Sequence, residues 1–180
     1  MRIDIKTIVK KPFNDKLIAR TVSEQISSIL QKGAFRIEAD AKKRATVAFG
    51  IMRASIHVFG PIIQQSQIYW QVIVGAAYAK FIEFGTGPAG KKSKLLPQAL
   101  KAMRDLGYRH GPGNFFPPVD AIAKWAKRKG IDESLVWVIA RSIGRKGIPA
   151  QPFLYPAFVK NIPKILADFR GLKQRIASGR

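Results

Sequence analysis

The 180-residue chain has no cysteine, two histidines and only 11 acidic side chains. The absence of cysteine excludes disulfide cross-links and cysteine-based zinc sites. The scarcity of acids argues against a nuclease, which needs several converging carboxylates to hold its metal ions. His57 falls in a strand pattern and His110 in a loop, and neither has an acid or cysteine partner at catalytic spacing. We therefore expect no catalytic residue, no metal and no cofactor.

Long apolar segments are also missing. Residues 1–6 lack the apolar core of a signal peptide, and no segment approaches the roughly 20 apolar residues of a membrane span. Hydrophobic residues nevertheless make up 47% of the chain, which is enough to build the core of one domain. We expect a soluble protein that makes no membrane contact and stays inside the cell that produces it.

Basic side chains are in large excess, with 32 Lys and Arg and a net charge of +21. Residues 88–148 carry 13 basic and 4 acidic side chains, so the charge is spread along the chain. A sequence-specific DNA reader concentrates such charge on one recognition element. A spread charge favours general attraction to phosphate backbones, although a solvated basic face explains the same residues more simply. The candidate phosphate contacts are Lys91, Lys92, Lys94, Lys124, Lys127, Arg128 and Lys129.

Residues 15–45 are predicted to form one long helix, because apolar or small residues recur in steps of three and four. Asn14 is suited to cap its start, with Phe13 packing onto Ile18 across the cap. At ~1.5 Å per residue the helix would be about 45 Å long. A partner element should therefore lie along it.

After Gly50 the pattern becomes that of β-strands. Residues 55–59 and 68–74 are predicted strands, and the Gly, Pro and polar residues at 60–67 predict a hairpin with a long loop. The strands and the long helix together indicate an α+β fold. The sheet is expected to be small and mainly antiparallel.

A short helical turn is predicted after the hairpin. Tyr78, Phe81 and Ile82 share one face of it, and Gly85 would end it. We expect Tyr78, Phe81 and Phe153 to pack under the long helix, so that truncation of any of them would be costly.

Residues 88–148 are a candidate insertion, mostly helical and basic, within a single domain spanning residues 1–180. Gly and Pro content predicts a loop at residues 109–118. Helices are predicted at residues 97–106, 119–129 and 134–143. An amphipathic C-terminal helix follows, and Pro163 should restart or kink it.

The segment Gly85–Lys91 has the spacing of a phosphate-binding loop up to its lysine. Lys92 then stands where a Ser or Thr should bind Mg²⁺, and Pro88 removes one N–H donor from the loop. A flexible basic loop is the better interpretation of this segment.

The two helices around Gly130 have the spacing of a helix-turn-helix. A DNA-reading second helix needs a polar face, but residues 135–141 are apolar nearly all round. Burial against the core or against a neighbouring subunit is therefore expected. Trp70, Trp125 and Trp137 are interpreted as core or interface anchors rather than as base-stacking platforms.

Three segments together resemble the signatures of a known family. Residues 41–56 resemble its helix-to-strand signature, residues 78–86 its second signature and residues 149–158 its third. The family is that of bacteriophage neck or tail-completion proteins, minor tail components that join head to tail in long-tailed phages. The matching positions, with structural or assembly roles, are Gly50, Arg53, Ser55, Tyr78, Glu83, Gly85, Thr86, Pro152 and Phe153.

The resemblance implies an α+β fold in which a long N-terminal helix packs on the sheet and a C-terminal helix follows a helical insertion. It implies a structural virion protein, not an enzyme, that is assembled in the host cytoplasm. Its copies would form a homo-oligomeric ring at the head–tail junction, with DNA passing through the lumen. Its partners would be itself, the neighbouring head-completion and tail-terminator or tail-tube proteins, and genomic DNA. A non-specific nucleic-acid-binding protein is the alternative.

Two signature residues receive specific expectations. Gly50 should permit the turn between the long helix and the sheet. Glu83 is the one acid between Asp40 and Asp105. We expect it to form a partly buried ion pair with Arg53 that holds the fold or the ring together.

Overall fold

A computed structural model describes residues 1–8, 16–45, 50–64, 67–111 and 117–178. The fold is α+β, as predicted. Its strands are β1 (Arg2–Ile8), β2 (Ile56–Gln64) and β3 (Gln67–Val74). Its helices are α1 (Lys16–Arg44), α2 (Ile51–Ala54), α3 (Ala79–Phe84), α4 (Gly87–Lys91), α5 (Pro97–Asp105), α6 (Val119–Arg128), α7 (Val136–Lys146) and α8 (Leu154–Ala177). A 3-10 turn, Glu133–Leu135, precedes α7.

The three strands form an antiparallel sheet in the order β1-β3-β2. Alternate residues of β3 turn one face toward α1, and Trp70 and Val72 are buried on that face. Ile3 of β1 and Val58 of β2 both lie opposite Val72. The central strand therefore carries most of the sheet's share of the core. β1 was not predicted.

The hairpin differs from the long loop predicted between β2 and β3. β2 continues through Gly60 and Pro61, which are joined by a cis peptide bond. Its register with β3 shifts between Phe59 and Ile62. Proline is tolerated at bulges and on edge strands because the ladder there does not need its missing N–H. Gly60, Pro61 and Gln64 therefore belong to β2 and Gln67 to β3, while residues 65 and 66 of the predicted loop lie outside the described residues.

The long helix is confirmed as α1, and its expected partners are the sheet and α8. Gly33 lies directly against Ile165 of α8, and a Cβ on Gly33 would come within 2.8 Å of the Ile165 side chain. The absence of a side chain at Gly33 therefore lets the two helices approach closely. The predicted cap Asn14 and its neighbour Phe13 lie outside the described residues.

Paired polar groups also join α1 to α8. The buried Asn161 donates a hydrogen bond to Asp40 (2.7 Å), and Lys160 forms an ion pair with the same carboxylate (3.1 Å). These two hydrogen bonds hold the pKa of Asp40 below its usual value. Arg36 pairs with Asp168 at 2.7 Å. Acids on this surface are therefore matched by basic partners.

The C-terminal helix begins earlier than predicted. α8 starts at Leu154, inside the third signature, and continues through Pro163 to Ala177. A restart at Pro163 is therefore ruled out. None of the described helices is long and apolar enough to cross a membrane.

The helices predicted within residues 88–148 are confirmed as α5, α6 and α7. Asp132 caps the turn before α7, since its side chain accepts a hydrogen bond from the Ser134 amide. The flexible loop predicted around Pro88 is wrong. Gly87–Lys91 forms the short helix α4, which packs against α7.

Candidate assembly site

Glu83 holds the start of α8. Its side chain is fully buried (0% exposed). The carboxylate accepts hydrogen bonds from the backbone amides of Phe153 (2.8 Å), Leu154 (2.9 Å) and Tyr155 (3.0 Å). Amides at the start of a helix have no partner within the helix, and Phe153 at the N-cap position offers no side-chain acceptor. Glu83 therefore caps α8 from a distant part of the chain.

The environment of Glu83 acts on its protonation in two directions. Burial raises the pKa of the carboxyl, whereas the hydrogen bonds from Leu154, Phe153 and Tyr155 lower it, and the net direction is upward. The positive end of the α8 dipole also favours a negative charge at this position. The cap is consequently a titratable group in the core.

Arg53 is not the partner of Glu83, so the predicted ion pair is wrong. The carboxylate is occupied by three backbone amides. Arg53 is half-buried, and its Nε has no hydrogen-bond partner among the described residues. The carboxylate of Glu83 is stabilised by the amides at the start of α8 and not, as predicted, by a basic side chain.

The second and third signatures form one structure. The amide of Thr86 donates to the Ile148 carbonyl (2.8 Å), and the Ile148 amide donates to Thr86 Oγ1 (2.9 Å). The Gln151 amide donates to the carbonyl of Ile82 (2.8 Å). We refer to residues 82–86 and 147–155 together as the capping junction. In this junction, two segments that are far apart in the sequence are joined by hydrogen bonds.

Two glycines make this close approach feasible. Gly85 (φ 75°, ψ 176°) and Gly147 (φ 76°, ψ −173°) occupy a backbone region that only glycine adopts readily. A Cβ on Gly147 would overlap the carbonyl oxygen of Thr86, and one on Gly85 would lie 2.7 Å from the Ala150 amide nitrogen. Gly85 thus ends α3 as predicted, and it also admits the opposing backbone.

The loop after α5 is fastened to the same junction. The Tyr108 hydroxyl donates to the carbonyl of Gly85, and His110 Nε2 lies 2.8 Å from the carbonyl of Phe84. Because a carbonyl only accepts, His110 must carry its proton on Nε2 in this contact. Burial raises the pKa of Tyr108. His110 has a structural role here, as its isolation in the sequence suggested.

The first signature lies at the turn into the sheet. Gly50 has φ 71°, the left-handed conformation expected of a turn, at the start of α2. Ser55 Oγ donates to the Met52 carbonyl (2.9 Å) and the Ser55 carbonyl accepts from the Gly75 amide (2.9 Å). These bonds connect the end of α2 to the end of β3.

The aromatic residues of the signatures divide between core and surface. Phe153 is fully buried in the core, and the neighbouring Pro152 is half-buried. Tyr78 is 40% exposed and Phe81 is half-buried, so the prediction that they pack under α1 is wrong. Both line an apolar cleft of about 580 Å³ together with Tyr108. Their rings serve a surface cleft rather than the core.

Three apolar residues at the start of α7 are exposed, one turn before the exposed Arg141. Val136 and Ala140 are buried on the inner face of the helix. Leu135, just before α7, is 47% exposed, while Trp137 and Val138 are 66% and 63% exposed. We call these last three residues the α7 patch. One face of the helix meets the core, and within this chain the patch stays exposed to solvent.

The three tryptophans have different environments. Trp70 is buried, with Nε1 donating to Ser27 Oγ (3.2 Å), and is a core anchor as predicted. Trp125 is half-buried on α6. Trp137 is the most exposed tryptophan in the described part of the chain. An interface role for Trp137 stays a prediction.

The candidate phosphate contacts are all exposed, in two groups on different elements. Lys91, Lys92 and Lys94 lie at and after the end of α4, and the others lie along α6 and just after it. Among the described residues, no cluster of three or more acids and histidines could hold a metal ion.

Residues 13–85 match a phage tail family. The description of that family is "HK97-gp10_like: Bacteriophage HK97-gp10, putative tail-component". The match contains the first signature and the second as far as Gly85, and it ends before the third. Comparison of the chain with curated proteins and with solved structures gave no match. The match confirms the resemblance to a phage neck or tail family and supports a structural role in the virion, alongside other phage structural proteins.

Proposed function

We propose that the protein is a structural component of the head–tail junction, without catalytic activity. Copies of it form a ring that joins the head connector to the tail and lets DNA pass. The observation that carries this proposal is the α7 patch, a group of exposed apolar residues, on a chain whose residues 13–85 match a phage tail family. We also propose that residues 88–148 are an insertion within a single domain.

A closed ring requires two different surfaces on each subunit, because one surface of each copy must meet another surface of the next. The α7 patch and the apolar cleft beside Tyr78 are two such surfaces. Exposed apolar patches mark interaction sites, and tryptophan is enriched among residues that dominate binding energy. Trp137 is therefore the residue whose loss should weaken assembly most.

Contact with DNA in the lumen is the second part of the proposal. A net charge of +21 attracts phosphate backbones without reading sequence. The exposed basic residues at the end of α4 and along α6 supply non-specific contacts. These contacts would hold DNA weakly enough for it to move during packaging and ejection.

The test is electron microscopy of the purified protein, alone and mixed with its head and tail neighbours. Closed rings are expected for the wild type and for Leu166→Glu, a control at a 52% exposed residue of α8. Trp137→Glu should abolish rings while leaving the melting temperature unchanged. The nucleic-acid-binding alternative would be favoured if the protein stays monomeric both alone and with its neighbours, and binds DNA with a steep salt dependence.

A further inference from the structure

A basic pocket of about 360 Å³ lies between the ends of α4 and α5. Lys91 of α4, Arg104 of α5 and Arg109 of the following loop contribute its charged walls. Tyr108 and His110 contribute to its lining as well. The three cationic side chains come from three different segments. They therefore surround the cavity rather than forming a row on one helix.

The lining of this pocket is held in place by the capping junction. Tyr108 and His110 are bonded to the carbonyls of Gly85 and Phe84. A Cβ on Gly90 would lie 2.6 Å from the His110 ring, so α4 packs tightly against it. This part of the pocket lining is accordingly held by hydrogen bonds, and a ligand would have to order only the exposed basic side chains.

The negative groups near this pocket that could repel an anion are either already hydrogen-bonded or lie outside the pocket. The last carbonyls of α5, those of Ala102, Met103 and Arg104, accept hydrogen bonds from the amides of residues 106, 108 and 107, each at 2.9 Å. Asp105 is exposed and does not line the pocket. The last carbonyls of α5 are thus satisfied by the amides that follow the helix.

The basic groups of the pocket also differ from those on α1 and α8. Arg36 and Lys160 have carboxylate partners. Lys91, Arg104 and Arg109 form no ion pair with any described residue. These three exposed cations line one cavity, and an anion in the cavity would be attracted to all of them.

We propose that this pocket binds one phosphate of the DNA backbone. Basic side chains from three segments can reach oxygens that point in several directions, as those of a tetrahedral phosphate do. Guanidinium groups such as those of Arg104 and Arg109 form paired hydrogen bonds to phosphate. The inference deepens the proposed function by giving DNA a fixed contact, and it rests on that function only for the presence of DNA at this surface.

The experiment measures binding of a fluorescently labelled 24-base-pair duplex to the isolated full chain by anisotropy at several KCl concentrations. The double variant Arg104→Gln/Arg109→Gln should bind about tenfold more weakly. Its slope of log affinity against log salt should be smaller by about 1, the value for one lost phosphate contact. Lys91→Gln should shift affinity in the same direction by a smaller factor.

The matched control is Lys164→Gln/Lys173→Gln, which removes the same charge from exposed positions of α8. It should change affinity less than about twofold and leave the salt slope unchanged. Equal losses in the two double variants would overturn the pocket, because total charge alone would then explain binding. Unchanged binding by the Arg104/Arg109 variant at a wild-type melting temperature would overturn it as well.

Poly-L-glutamate is the second probe, since it carries planar carboxylates in place of phosphates. The Arg104/Arg109 variant should lose DNA affinity by a larger factor than affinity for poly-L-glutamate. An equal loss for both polymers would overturn the assignment to phosphate. The same variants are also viewed by electron microscopy. Variants that form rings and bind DNA as the wild type does would refute the phosphate pocket alone. A wild-type protein that forms no rings would refute the proposed function alone.

Discussion

The capping junction and the α7 patch are joined by α7, which ends at Gly147 in the junction, yet their chemistry is opposite. In the junction, the buried Glu83 carboxylate and the first amides of α8 satisfy one another completely. In the patch, Trp137 and Val138 expose most of their surface. The polar groups of the junction are satisfied within the chain, whereas the patch leaves apolar surface exposed, at the place where we propose that a partner binds.

The difference separates residues that hold the fold together from residues that are available for assembly, two roles that were both predicted for the signatures. Glu83, Gly85 and Phe153 of the second and third signatures build the fold, because they are buried, whereas Tyr78 of the second signature lines the exposed cleft. The exposed apolar residues of α7 lie outside all three signatures. Folding and assembly should therefore respond to different substitutions, and the following predictions test that separation.

The largest effect is expected from Glu83→Ala. It leaves three buried amides without an acceptor, and each unsatisfied donor costs about 1–3 kcal/mol. The free energy of unfolding, measured by urea denaturation, should fall by about 3 kcal/mol or more. Glu24→Ala is the control, because the Glu24 ion pair with Arg20 is exposed and worth less than about 1 kcal/mol. Similar losses in both variants would refute the capping role.

Gly147→Ala should be the next most damaging change. The new Cβ would overlap the Thr86 carbonyl, and alanine does not readily adopt this backbone conformation. We expect a loss of more than about 2 kcal/mol, observed as a lower melting temperature. Gly130→Ala also places alanine at a positive φ (66°), but with nothing within 4 Å of the new Cβ, and should cost only about 1 kcal/mol. Equal costs would show that close packing at the junction is unimportant.

The pH dependence of Glu83 should be smaller and has a definite sign. Its pKa is raised in the folded chain, so the folded state binds a proton that the unfolded state releases. This contribution to stability is fully present below the ordinary pKa of a glutamic acid, 4.5, and is lost as pH rises through the raised pKa of the folded state. As pH rises from 4.5 through the raised pKa of Glu83, the urea midpoint of the wild type should therefore decline relative to that of Glu83→Gln. Parallel curves for the two proteins would contradict the prediction.

The smallest effect on folding is expected from Trp137→Ala. The side chain is 66% exposed, and surface substitutions of this kind change stability by about 0.5 kcal/mol or less. Thermal unfolding of the variant should therefore overlay that of the wild type. Trp70→Ala, at a buried tryptophan, should cost about 3–5 kcal/mol. A large loss in Trp137→Ala would place that residue in the core and remove the contrast with the junction.

Much of the fold could be predicted because its signals are local. The spacing of Val22, Ile26, Ile29 and Ile37 identified α1, and each of these residues is buried. The strand β1 also carried a signal, the alternation of Ile3 with polar neighbours along Arg2–Ile8, that would have revealed it. Pairing of Ile3 opposite Val72 confirms the value of that pattern.

The capping of α8 could not be predicted because its partners are 70 or more residues apart. Arg53 was predicted as the partner of Glu83 because it is a nearby basic residue. The partial positive charge at the start of a helix is not a residue type, so the sequence does not display it. α4 was missed for a related reason. Its glycines and proline favour a loop, but Gly87 and Gly90 are held by contacts with Gly147 and His110, and such tertiary contacts override local propensity.

The most direct test of the separation between folding and assembly is a paired measurement on Trp137→Glu. Its melting temperature and its ring formation are measured in the same preparation, alone and with the head and tail neighbours. We predict a wild-type melting temperature with no rings. Rings formed as readily as by the wild type, or a variant that fails to fold, would contradict the account.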